Sequence, residues 1–232
     1  MNLFREILDW SEAWAPLLPL TILLYYRNKT HYLKPVRIFL WTAFALNLFL
    51  DILWKFGKDL GVSSGDFFSN NNFIYNLSSV MRLLLFAWFF IALRQQFMHR
   101  IKLILPFSFL IFVLINFIFF QDFFPQGNNF FSSRLLTTES AILLFYCMQY
   151  FIYLIIEEKN IRLVHQPGFW VVTGLSIYVA SCFFIFLFWE YLSVKMRQFA
   201  LGIWDIHNIA FIIFCTLIAI QFLLEHKKPS TR

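Results

Sequence analysis

The sequence predicts an all-α integral membrane protein, a bundle of seven transmembrane helices with the N-terminus outside and the C-terminus cytoplasmic. Three observations carry this. The 232 residues are 60% hydrophobic and 14% charged, against about half apolar and a quarter charged in soluble domains. The apolar residues fall in runs of membrane-crossing length. The basic residues collect in alternate loops between those runs.

A spanning helix needs about 20 mostly apolar residues. Seven segments fit: 11–26, 37–56, 73–93, 103–120, 135–156, 168–189 and 203–224. The first is the shortest and contains Pro16 and Pro19. Phe is abundant, with 33 residues, and its wholly apolar ring suits a lipid-facing surface. Runs this long without period-2 alternation exclude barrel strands. Arg5, Glu6 and Asp9 precede the first run, unlike the basic leader of a cleaved signal peptide, so that run is expected to be retained.

Orientation follows from Lys and Arg. Arg27, Lys29, Lys34, Arg37, Arg94, Arg100, Lys102, Lys159, Arg162, Lys227, Lys228 and Arg232 fall on one side, twelve in all. Arg5, Lys55, Lys58, Arg134, Lys195 and Arg197 make six on the other. The richer side is cytoplasmic by the positive-inside rule. The net charge of +6 is thereby explained by topology, and no nucleic-acid partner is expected. The partner that composition demands is the lipid bilayer.

Polar groups inside a bilayer are costly and usually face the bundle interior. Counting helix rise from the expected ends places Asn47, Asp51, Asn76, Ser78, Ser79, Arg82, Glu139, Asp205, His207 and Asn208 mostly in the outer leaflet. The inner halves are Leu, Ile, Phe and Val, apart from Gln149 and Gln221. The pattern predicts a polar chamber opening outward above an apolar plug. Arg82 is the one basic residue deep in a span, and Asp51, Glu139 and Asp205 are its candidate partners. The cluster reads either as a satisfied ion-pair network fixing helix register or as a site for a small polar or anionic ligand from the outer side. His207 reads either as a bundle histidine or as a ligand-bonding, pH-sensitive group.

No cofactor and no metal is expected. Cys147, Cys182 and Cys215 lie in separate apolar runs without metal-ligand spacing and read as small buried hydrophobes. The last span lacks the lysine that would hold retinal, and histidines are too few for a membrane zinc hydrolase. Enzyme chemistry is not expected.

Spans one to three and five to seven share an orientation. Ser11-Glu12 and Thr138-Glu139 open the first and fifth, while Tyr75-Asn76-Leu77-Ser78-Ser79-Val80 and Trp204-Asp205-Ile206-His207-Asn208-Ile209 open the third and seventh. This suggests a weak 3+1+3 parallel repeat with a site at the repeat interface. Residues 2–14 (NLFREILDWSEAW), 169–179 (FWVVTGLSIYV) and 203–210 (IWDIHNIA) resemble a group of small bacterial seven-helix integral membrane proteins. The resemblance implies a multi-pass protein of the bacterial inner (plasma) membrane and supplies no activity. Three functions follow from the residues: a sensor or receptor-like module acting through a partner membrane or cytoplasmic signalling protein, a small-solute or ion transporter, or a structural or assembly protein.

Overall fold

The computed structural model describes residues 3–26, 30–56, 72–121, 132–157 and 163–227, and among them there is no strand. In order these are α1 (Leu3–Asp9), α2 (Ser11–Trp14), α3 (Leu17–Tyr26), a 3-10 turn (His31–Leu33), α4 (Lys34–Phe56), α5 (Asn72–Ala92), α6 (His99–Phe119), α7 (Ser133–Ile156), a second 3-10 turn (Leu163–His165), α8 (Phe169–Lys195) and α9 (Arg197–Lys227). Five helices, α5 to α9, are long and apolar enough to cross a membrane, which marks the chain as a membrane protein. α4 has comparable length, 23 residues, but includes Lys34, Arg37, Asp51 and Lys55.

The first apolar run is not one rod. Pro16 has no N–H to give to the carbonyl four residues earlier, and neither has Pro19. The helix breaks after Trp14, and Leu18 N–H takes over the Ala15 carbonyl at 3.1 Å. The resulting α3 has ten residues, about 15 Å of rise, half the ~30 Å hydrocarbon thickness.

At the other end of the chain the helices overrun the expected limits. α8 continues to Lys195 and α9 begins at Arg197, whereas the apolar runs suggested 168–189 and 203–224. Glu190 and Lys195 follow the first of these runs and Arg197 precedes the second without ending the helices, because charged residues are comfortable once a helix emerges into water or headgroups.

α8 and α9 are the central pair. Gly174, Tyr178, Cys182 and Phe186 recur every fourth residue, so they share one face of α8. Gly174 lets the two backbones close: a Cβ there would lie 3.2 Å from the main-chain Cα of Phe214 and 3.1 Å from the Leu217 Cβ. Tyr178 then stacks on Phe214 at 5.6 Å, and the Phe186 and Trp204 rings meet at 6.4 Å. α8 starts at Gly168, whose φ of +78° favours glycine and whose Cβ would sit 3.0 Å from Phe89.

α6 is peripheral. Phe107, Ile111, Leu114 and Ile118 on its outer face are all largely exposed, the surface that a lipid-facing helix should present. The core is aromatic, and its middle holds three phenyl rings: Phe39 of α4, Phe86 of α5 and Phe214 of α9, with centroids 5.0, 5.7 and 6.0 Å apart.

Candidate functional site

Above this phenyl triangle, towards the end where α5, α7 and α9 begin, the bundle opens into a cavity of about 50 Å³. Its walls come from α2, α4, α5, α7, α8 and α9, and its polar lining includes Glu12, Asn47, Tyr75, Ser78, Arg82 and His207. Phe39 reaches its floor.

Arg82 points from α5 to Glu139 on α7. The guanidinium engages both carboxylate oxygens, through Nε to Oε1 and through Nη2 to Oε2 at 2.7 Å. This fork-to-fork geometry is the strong form of the interaction. Ser79, one turn earlier on α5, donates to the same Oε2 at 2.7 Å. The third arm, Nη1, donates to the Tyr178 hydroxyl at 2.9 Å. Glu139 is fully buried and accepts from both Arg82 and Ser79, so the pair is satisfied rather than waiting.

The second pair is Glu12 with His207. Glu12 Oε1 lies 3.0 Å from Nε2, while the other ring nitrogen, Nδ1, lies 3.3 Å from the Cys182 thiol. The imidazole is packed among Trp204 at 5.0 Å, Tyr178 at 5.3 Å and Phe186 at 5.7 Å. The Tyr75 hydroxyl is 3.5 Å from Glu12 Oε2. Pro16 explains why Glu12 is held so firmly. Its own carbonyl would normally accept from residue 16, which has no N–H to offer. Asn47 of α4 fills the gap, its amide donating to that carbonyl at 3.1 Å.

The chain matches no protein-family model, no curated protein and no solved structure. The role of the site therefore rests on its geometry.

Of the residues expected from sequence, Ser79, Arg82 and Glu139 form one cluster, while Asn47 and His207 join the cavity through Glu12. The side chain of Asp51 lies outside the described residues. Asn76 is buried but turns elsewhere: its Oδ1 accepts from the Ser132 N–H at 2.9 Å, beside Asn116 and Gln121, in a clasp joining α5, α6 and α7. Asp205 is half-buried and does not line the cavity. It acts instead on Asp9 of α1, whose carboxyl is pushed above its ordinary value by burial, pulled back by Arg5 and raised further by Asp205 and Glu6. Asn208 is buried, and among the described residues neither of its side-chain polar atoms has a hydrogen-bond partner.

Glu12, Tyr178 and Cys182 are the residues that sequence reasoning left out. Glu12 carried a signal, because it precedes Pro16 by four residues and matches Glu139 in the repeat alignment. Cys182 is more than the small hydrophobe expected, since its thiol faces a histidine nitrogen. All three cysteines are buried and unbridged.

Among the described residues no group of three or more His, Cys, Asp or Glu is placed to hold a metal ion. The Glu12–His207–Cys182 row shows why. The carboxylate and the thiol approach opposite nitrogens of one imidazole, so they cannot converge on a single ion.

The opposite end has its own small network. Tyr32 donates to Glu225 Oε1 at 2.7 Å, Gln221 donates to the same oxygen at 3.3 Å, and the Trp170 N–H donates to Gln221 Oε1 at 3.2 Å. Between the two polar ends lies the aromatic core.

Proposed function

We propose that the protein is a sensor embedded in the bacterial inner membrane, with the cavity opening outward and a small polar or anionic ligand as its input. The carrying observation is the cavity beside the Glu12–His207 pair. A cation and a carboxylate from different helices meet there at a space with room for a few waters, on a scale of ~10–15 Å³ per water. A ligand of a few heavy atoms that competes for His207 would loosen Glu12 and so free α2 from α9, and one that competes for Arg82 would loosen Glu139 and so free α7 from α5. Ligand-biased helix movement of this kind shifts a pre-existing equilibrium, and a separate partner protein would read it.

Seven spans and an outward N-terminus fit this reading. α1 to α3 together comprise about two dozen residues, enough to cross despite the breaks, and α4 supplies a second span. The positive-inside count puts the twelve basic residues on the cytoplasmic side. The phenyl triangle beneath the cavity supports sensing over transport, because it leaves no polar exit path.

One observation favours transport as a second reading. Glu12, from the first segment, pairs with α9, and Glu139, which opens the fifth span, pairs with α5. Tyr75 and Trp204, matched in the repeat alignment, touch one another at 6.0 Å. Such crossed partners suit two repeats about a shared axis, with the cavity on that axis.

Thermal melting of the purified protein against a panel of small carboxylates, ammonium and neutral polar solutes tests the sensor. A solute that raises the melting temperature of the wild type but not of His207→Ala supports it, since a ligand binding the folded state stabilises by mass action. No shift across the panel sinks it and leaves an assembly role. Flux of a panel solute into proteoliposomes, lost in Glu12→Gln and Glu139→Gln, would establish transport instead.

A further inference from the structure

A second concave site lies at the other end of the bundle. A groove of about 420 Å³ is lined by His31 from the first 3-10 turn, Trp88, Ile91 and Ala92 from the end of α5, Arg94 and Gln96 from the α5–α6 connection, and His99 at the start of α6. Its size is that of a small-molecule pocket, in the range of about 300–1,000 Å³, and so far larger than the cavity between the two ion pairs.

Its lining is one-sided in charge. Arg94, His31, His99 and Gln96 present nitrogen donors and all four are exposed. Among the described residues no carboxylate lines it. Lys34 adds to the field, with its ammonium 5.7 Å from the centre of the Trp88 ring. Behind the connection, Lys102 is buried, and the partner its ammonium meets is the neutral Gln95 Oε1 at 3.1 Å.

The wall on the other side is apolar. Trp88, Ile91 and Ala92 form it, with Trp88 37% exposed, and beyond the lining Ile101 and Ile104, on the first turns of α6, are 38% and 60% exposed. The groove thus sits where helix ends meet the lipid-facing belt, the depth at which headgroups lie and at which tryptophan concentrates. The connection is also held in a costly shape: Arg94 and Met98 both have positive φ, 56° and 52°, uncommon for non-glycine residues. That shape turns the Arg94 side chain into the groove's lining.

We propose that this groove binds the phosphodiester headgroup of an anionic phospholipid, with Arg94, His99 and His31 around the phosphate and the acyl chains lying along Trp88 and the outer face of α6. Basic pockets between helix ends are suited to such headgroups, and guanidinium geometry matches phosphate oxygens. The groove has no role in the cavity chemistry, and the site stands or falls apart from the sensor reading.

Native mass spectrometry of the detergent-purified full chain tests it, with titration of short-chain phosphatidylglycerol, short-chain phosphatidylcholine and inorganic phosphate. Phosphatidylglycerol should bind about tenfold more tightly than phosphatidylcholine, since each basic group near a lipid surface contributes appreciably. The Arg94→Gln, His99→Gln double variant should erase that preference, and Arg94→Lys should keep most of it. Arg100→Gln, which removes an exposed charge outside the groove lining, should leave it unchanged. An equal loss in Arg100→Gln, or no preference in the wild type, would overturn the proposal in favour of diffuse charge. Displacement of the lipid by equimolar phosphate would overturn it in favour of a free-phosphate site.

Discussion

The amide of Asn47 donates to the main-chain carbonyl of Glu12 at 3.1 Å, the carbonyl that Pro16 leaves without a helical partner. A side chain on α4 thus completes the backbone of α2. A net hydrogen bond of this type contributes about 1 kcal/mol, and a buried acceptor left unmade costs about 1–3 kcal/mol. Asn47→Ala should therefore destabilise the protein by that amount. Pro16→Ala would restore an N–H for the carbonyl and should make Asn47→Ala nearly silent. Chemical unfolding of the four proteins in a double-mutant cycle reads the coupling. A cycle with no coupling would refute the assignment.

Arg82 and Glu139 are buried together, so their loss should be asymmetric. Removing one partner of such a pair costs about 3–5 kcal/mol, because the other charge is stranded, whereas replacing both with apolar residues is often neutral. Arg82→Met alone and Glu139→Leu alone should lower the melting temperature strongly, and the combined variant should recover most of it. Equal damage in all three would mean that Ser79 and Tyr178 depend on the charges for their own placement.

The two described glycines inside helices should respond oppositely to alanine. At Gly174 a new Cβ would press on the Phe214 ring and backbone at 3.0 and 3.2 Å, and overpacking of this kind costs about 1–3 kcal/mol. At Gly202 nothing lies within 4 Å, so alanine should gain about 0.5–1 kcal/mol of helix propensity. Melting temperatures of Gly174→Ala and Gly202→Ala should fall on either side of the wild type. The reverse order would contradict the α8–α9 packing.

Tyr32 gives a pH dependence with a definite sign. Burial, chiefly, and the neighbouring Glu225 carboxylate push its phenol well above the ordinary value near 10. The folded state therefore binds this proton more tightly than the unfolded state does. Its contribution is complete below about pH 10 and is lost as pH rises beyond that. Wild type and Tyr32→Phe should differ by about 1 kcal/mol at neutral pH, and their stabilities should converge on alkaline titration. A gap that stays constant well above pH 10 would show that the phenol does not titrate there on unfolding.

Counting rise along each apolar run puts Arg82, Glu139 and His207 in one half of the spans and Asn47 near the middle, and in the structure Arg82 meets Glu139 while Asn47 and His207 both meet Glu12. Which way each faces depends on helix–helix packing, which rise alone does not carry. So Asn76, one turn before Ser79, turns to Ser132, and Asp205, two residues before His207, is half-buried away from the cavity lining. Glu12 opens the first apolar run, and the breaks around Pro16 fold that segment against α9. Tyr178 looked like one more aromatic in an apolar run, and its hydroxyl acquires meaning only from Arg82 across the helix boundary.

The Glu12–His207 pair joins residues 195 apart in sequence. At synthesis rates of about 5–20 residues per second, the carboxylate spends on the order of 10–40 seconds in the membrane before its histidine is made. Glu12, and Asn47 with it, must therefore be sheltered by lipid interface, water or an insertion factor while α4 to α8 assemble. Arrival of α9 is then what closes the bundle, and errors late in translation should strand an acidic first segment rather than a half-packed core.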